Sequence, residues 1–339
     1  MTKYYDVTLR DGNHALRHTL SDTFVGEYCR LADGSGVWAV EVGHGNGLGA
    51  SSFLVGKSAC SDEALLSAAR DSLSKAKLAV HSIPGFATIK RDLHPAVEVG
   101  VEVFRVATHV SEASVAETHI EYLVNQEVVV HGVLMMSHMI DLAGLLEQAQ
   151  LMKSYGASAV ILMDSAGRLV PREVVERVCV ISGELDLEVG FHAHNNLGVA
   201  VANAIAASDA GAHIIDGASM GLGAGSGNAQ LECVLATAAA DAHAPLDDYL
   251  SMSKLVERSF PEYLPRTNAS SIESGRAGVF SGYAPQVRQA AAEFGIDPRD
   301  LWRTLGERHI VTGQETMVRE VAMELSVLAA ASTTAAKAI

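Results

Sequence analysis

A (β/α)8 barrel with a small C-terminal helical extension is the fold class this sequence predicts. Three observations carry it: eight short β-branched apolar runs, helical spacing between them, and strand-free segments after about residue 245. The runs are YYDVTL (4–9), VWAVEVG (37–43), KLAVHSI (77–83), VEVFRVAT (101–108), VVVHGVLMMS (128–137), ASAVILMD (157–164), LEVGFHAHN (187–195) and AHIIDGAS (212–219). Val, Ile and Phe in runs this short favour strands. Between them, a helix begins near Ser21 and another covers about 61–74, while EASVAETHIEYLVN and DLAGLLEQAQLMKSYG have helical apolar spacing. Gly156 stands where the second of these helices is expected to end. Eight β-then-α units in about 240 residues is what a closed barrel requires. A doubly wound open sheet is the alternative that strand counting leaves open. No GxGxxG follows the first run, which lowers its dinucleotide-binding form. Segments 285–296, 298–307 and 313–331 read as helices with no strand among them. The expected division is a catalytic barrel over 1–245 and a helical extension over 246–339, covering the barrel mouth or forming an interface.

The chain has 339 residues and a formal charge of −15, with 48% hydrophobic and 5% aromatic residues. That profile is globular, and its acidity argues against nucleic acid or an anionic membrane as the main partner. A small anionic substrate stays open, because a local pocket can oppose the global sign. Cys29, Cys60, Cys179 and Cys233 are widely spaced, which fits free thiols in a reducing compartment. The N-terminus lacks signal-peptide character and no apolar run reaches eighteen residues, so a cytoplasmic protein is expected.

Three constellations lie at strand ends. Arg10, Asp11, Gly12, Asn13 and His14 follow the first run, at the mouth where such barrels keep their chemistry. An arginine there can clamp a carboxylate and an aspartate can hold a metal, though an Arg–Asp pair closing the rim reads equally well. FHAHNN (191–196) puts His192 and His194 on one face of a strand. With Asp11 they make a two-histidine, one-carboxylate set with positions open for substrate. GLGAGSGN (221–228) offers backbone N–H groups for an anion but lacks a P-loop lysine, and a flexible packing loop is the simpler reading. Glu41 follows the period-two pattern into the barrel and needs a partner such as Arg10. Ser137 and His138 are read as lying near the mouth, and Asp164 and Ser165 as a helix cap or a support to the site.

DVTLRDGNHALRH, EVGHGNGLGASSF, GVLMMSHM, LMDSAG, GFHAHNNLG and GLGAGSGNAQLE together resemble the 4-hydroxy-2-oxovalerate aldolases. GRAGVF and VTGQETM carry the likeness into the tail. These are divalent-metal pyruvate aldolases within the TIM-barrel metallolyases that include hydroxymethylglutaryl-CoA lyase. The resemblance implies cleavage of 4-hydroxy-2-oxoacids to pyruvate and an aldehyde, with Mn²⁺ the usual metal and Zn²⁺, Co²⁺ or Mg²⁺ the other options. It implies Asp11, His192 and His194 as ligands, Arg10 as the group stabilising the enolate and His14 as the base. It also implies an oligomer, and an acylating aldehyde dehydrogenase partner contacted through the tail. Three departures stand out. Phe280 occupies the position of a family tyrosine, with Tyr283 the substitute if the segment is helical. Asn46 replaces the acid of the usual HGDGL loop, and SSFLVG lacks the usual NYG ending. An acyl-CoA-dependent Claisen-type synthase and a non-catalytic interaction subunit are the rival expectations.

Overall fold

The computed structural model describes residues 2–238, 246–311 and 313–337. The change of pattern expected at about residue 245 falls on 239–245, which lies outside them, as does Thr312 of the tail motif. Eight parallel strands close into a barrel in sequence order. They are β1 Lys3–Asp6, β2 Ala39–Glu41, β3 Lys77–Ser82, β4 Val103–His109, β5 Val129–Met135, β6 Ala159–Asp164, β7 Glu188–Ala193 and β8 Ile214–Gly217. Closure is made by β8 against β1, with Tyr5 opposite Asp216. All eight apolar runs therefore form strands, with ends shifted by up to a few residues, and the open-sheet alternative is excluded.

The helices that follow the strands are α1 Asp22–Ser35, α2 Asp62–Arg70, α3 His94–Val99, α4 Glu117–Val124, α5 Leu142–Ser154, α6 Pro171–Glu184, α7 Ala200–Asp209 and α8 Leu231–Ala238. Their starts are chemically marked. Ser21, Ser61 and Asp141 each accept a backbone N–H from the first turn of their helix. Two apolar layers result. Tyr5, Ala39, Val103, Val133, Ala159, Ile161 and Ile214 fill the barrel interior, while the outer strand faces pack against the helices.

The tail comprises α9 Leu246–Ser259, α10 Ala269–Ala277, α11 Ala284–Phe294, α12 Pro298–Glu307 and α13 Glu315–Lys337. Helix α9 sends Tyr249, Met252, Leu255 and Val256 into the barrel's outer layer. The later helices build their own core from Val279, Val287, Leu301, Trp302, Leu305, Val318 and Val321. Among the described residues no helix is long and apolar enough to cross a membrane.

Candidate metal centre and active site

The mouth of the barrel brings Asp11, His192 and His194 together, all buried, with one potential ligand atom from each within 4.8 Å of the others. Asp11 lies in the turn after β1, His192 in the last residues of β7 and His194 just beyond it. The Nε2 of His192 and the Nδ1 of His194 are buried nitrogens with no hydrogen-bond partner among the described residues. Leaving such groups unpaired is costly unless something else is bound to them, and one oxygen with two imidazole nitrogens suits a divalent cation. The residues present fit a divalent-metal site.

What holds these ligands is a chain of buried ion pairs across the barrel. Arg105 of β4 grips Asp216 of β8 bidentately, at 2.5 and 2.8 Å, and Asp216 accepts the Nδ1–H of His192 at 2.9 Å. That bond fixes the tautomer and turns Nε2 toward Asp11, as carboxylates do for metal-bound histidines. The guanidinium of Arg105 also lies 3.3 Å from the Tyr5 ring centroid, a stacking contact within the barrel core. Burial alone would raise the Asp216 carboxyl, but Arg105 and His192 draw it well below the usual range.

On the other side, the Arg10 Nε donates to Glu41 at 2.5 Å and its Nη1 to Asp11 at 2.7 Å. Glu41 takes a further bond from Tyr5 at 2.9 Å, so the buried acid has the partner its position demanded. The Nη2 of Arg10 is buried and unpartnered. Asp11 also accepts the Asn228 amide at 2.7 Å and the Ala224 N–H at 3.2 Å. Burial pushes the Asp11 carboxyl up, while Arg10 and the imidazoles pull it lower still, so it stays ionised.

The glycine-rich loop thus does bind an anion through a backbone N–H, but the anion is the protein's own Asp11. A Cβ on Gly223 would sit 2.5 Å from the Asp11 carboxylate and 2.2 Å from the Asn228 amide, so close approach requires the missing side chain. Gly45 does the same beside His14, where a Cβ would lie 2.5 Å from the ring.

His14 is half-buried near the ligands, and burial lowers its pKa to about 4 against the opposing pull of Asp11. Its ring faces Phe280 edge-on at 6.4 Å, and Phe280 faces His194 in the same way at 6.2 Å. Phe280 therefore stands between the base candidate and a ligand. The helical spacing expected of this segment does not hold. Phe280 has extended ψ, and only Ser281–Tyr283 form a short 3-10 turn. Tyr283 packs 6.1 Å from Phe280, but its hydroxyl donates to the Val311 carbonyl at 2.6 Å. Both rings line a cavity of about 500 Å³ with His14, Arg17 and Asn46.

The remaining mouth residues act as ties. His138 donates from Nε2 to the Gly278 carbonyl at 3.1 Å, pinning the tail just before Phe280. Asn196 donates to Ser274 of α10 at 2.9 Å. Asp164 accepts the N–H groups of Arg168 and Leu169, and Ser165 accepts that of Met136. His18 is buried and stacked on His44 at 3.6 Å.

Residues 2–259 match the family model described as HMGL-like. The 4-hydroxy-2-oxovalerate aldolase of Pectobacterium atrosepticum is 48% identical over 324 residues, spanning 95% of this chain and 94% of its own. The chain belongs to the 4-hydroxy-2-oxovalerate aldolase family. The aldolase of that name from Spirochaeta aurantia is 49% identical over 323 residues, spanning 94% of this chain and 95% of its own. Residues 265–327 match a DmpG-like communication domain, which points to a protein partner for the aldolase tail. Among solved structures, the carboxyl transferase domain from Rhizobium etli pyruvate carboxylase superposes with a TM-score of 0.80. It is 15% identical, over 96% of this chain and 60% of that one, and shares the fold.

Arg105, Asp216 and Asn228 escaped the reading of the sequence. For the first two the signal was present: a single charge within an otherwise apolar strand, as with Glu41. Asn228 had none, because its role depends on how the loop folds back onto Asp11.

Proposed function

We propose that this chain is a divalent-metal pyruvate aldolase that cleaves or forms 4-hydroxy-2-oxoacids, working with pyruvate and an aldehyde. The observation that carries the reading is the buried Asp11, His192 and His194 cluster beside an Arg10 guanidinium with one unpartnered nitrogen. A divalent ion held by those three residues, Mn²⁺ in this reading, supplies Lewis acidity at the 2-oxo group.

The chain's own residues do the rest. Glu41 and Asp11 hold the Arg10 fork in place, leaving Nη2 to donate to the oxygen on which enolate charge develops. His14, neutral at pH 7, accepts the proton of the C4 hydroxyl. The C3–C4 bond then breaks, its electrons pass into the C2–C3 enolate, and protonation at C3 completes pyruvate. Phe280 presents no hydroxyl at this point and acts as an apolar wall. Tyr283 is the tail's candidate for proton transfer, and it must release the Val311 carbonyl to take part.

The tail, 246–339 in this division, is the docking part for an acylating aldehyde dehydrogenase that consumes the aldehyde. The match to a communication domain supports that assignment. A cytoplasmic oligomer completes the reading.

Incubation with Mn²⁺ and a series of 4-hydroxy-2-oxoacids is expected to release pyruvate. Thiol release from acetyl-CoA and a 2-oxoacid, without aldol cleavage, would establish a Claisen-type synthase instead. His14→Ala is expected to lower kcat by about 10²–10⁴-fold, the usual worth of a general base, while metal affinity is retained. Burial holds His14 at about 4, so kcat/KM should be flat through pH 6.5 and fall only well below it. An inflection near 6.5 that disappears in His14→Ala would contradict the assigned environment.

A further inference from the structure

The cavity at the site's mouth has a charge pattern opposite to that of the chain. The protein carries −15 overall, yet among the described residues no acidic side chain lines this cavity, while Arg17 and Arg288 both do. Both arginines are exposed, and neither is ion-paired among the described residues. Exposed Arg258, Arg299, Arg303, Arg308 and Arg319 each hold a carboxylate, whereas Arg17 and Arg288, like Arg30, Arg168, Arg172, Arg266 and Arg276, hold none among the described residues. Arg17 is moreover in the left-handed region at φ 53°, a conformation that costs a non-glycine residue energy and marks functional positions.

Two independent features add positive potential or hydrogen-bond donors to the same space. Helices α10 and α11 both begin at the cavity wall, and neither has an acid in its first turn. Ser226, also in the wall, is only 2% exposed and its hydroxyl has no hydrogen-bond partner among the described residues. A buried hydroxyl left unpaired is costly unless a ligand answers it.

We propose that the aldehyde half of the substrate carries an anionic group, a carboxylate or a phosphate, received by Arg17, Arg288 and Ser226. The inference rests on the aldolase reading and names the substrate class that reading leaves open. The reaction is unchanged: the C3–C4 bond breaks, the C4 hydroxyl proton passes to His14, and the products are pyruvate and an aldehyde bearing the anion. Arg10 and the metal ligands take the 2-oxoacid end, and the mouth takes the far end.

The test compares kcat/KM for 4-hydroxy-2-oxovalerate, whose aldehyde half is neutral, with analogues ending in a carboxylate or a phosphate. At least one anionic analogue is expected to be preferred about tenfold or more, with the preference shrinking as salt is raised. Its identity separates the two anions. Arg288→Met should cut that ratio several-fold and Arg288→Glu should reverse it, with Arg17→Met as a second probe. Equal or better use of the neutral substrate, with the ratio unmoved by Arg288→Glu, would overturn the proposal and leave the aldolase standing. Absence of pyruvate from every substrate would overturn both.

Discussion

Asp216→Ala is expected to cost about 3–5 kcal/mol of stability and roughly 10–100-fold in metal affinity, although Asp216 is not among the three ligands. Its carboxylate answers two groups at once. Arg105 is fully buried, and without Asp216 its nearest remaining carboxylate is Glu41, 3.8 Å from its Nε. A charge stranded in that interior keeps its desolvation cost and loses its main compensation. His192 loses the acceptor that fixes its Nδ1–H, so its ring is free to turn and to exchange tautomers. Asp216→Asn separates the two effects. The amide oxygen can still accept from His192, so metal affinity should suffer less than stability does. Denaturant unfolding of metal-free protein and calorimetric titration with Mn²⁺ measure each part. Unaltered metal affinity in Asp216→Ala would remove the residue from the account of the site.

Acidification of the metal-free protein from pH 7.5 to 5.5 should lower its unfolding free energy by about 4 kcal/mol. Burial holds His14, His138 and His194 down at about 4 and His81 at about 3, and it puts His131 well below 6.5. Each depressed histidine is neutral in the folded protein but protonates in the unfolded chain as pH falls through 6.5. The unfolded state then binds more protons, and stability declines until the folded pKa is reached. Asp6 and Asp164 work the other way. Burial raises both to about 6, so the folded state takes up their protons first and gains stability as pH falls from 6 toward 3.8. The histidines outnumber them, and the net slope is downward. Urea unfolding at the two pH values reads it directly. A flat or rising profile would mean that the interior histidines are far more hydrated than this packing allows.

The barrel was legible because its strands are local objects. Eight β-branched runs separated by helical spacing leave few other ways to bury that much apolar surface. Asp11, His192 and His194 were legible for a related reason. A strand alternates its side chains, so an HxH pair at its end must share a face, whatever it packs against. The supports were not legible, because they are long-range. Arg105 and Asp216 lie 111 positions apart, and pairing them requires the barrel to be closed. Gly223 reads as a loosened loop until Asp11 and Asn228 are seen to fill the space its side chain would take. The condition set for Tyr283, a helix across Phe280–Tyr283, is not met. The extended ψ of Phe280 separates the two residues, and the tail's own packing then draws the Tyr283 hydroxyl to Val311. That Arg17 and Arg288 share one cavity wall was not legible, since they come from opposite ends of the chain.

Metal dependence is the claim on which the remaining chemistry rests, and one measurement addresses it directly. Pyruvate release from 4-hydroxy-2-oxoacids is followed with protein stripped by a chelator, then with Mn²⁺ restored, for wild type and His192→Ala. Stripped wild type should be inactive and recover on adding metal, while His192→Ala should stay at least about 10³-fold below it at the same Mn²⁺ concentration. Undiminished cleavage by the stripped protein, or by His192→Ala, would contradict the account.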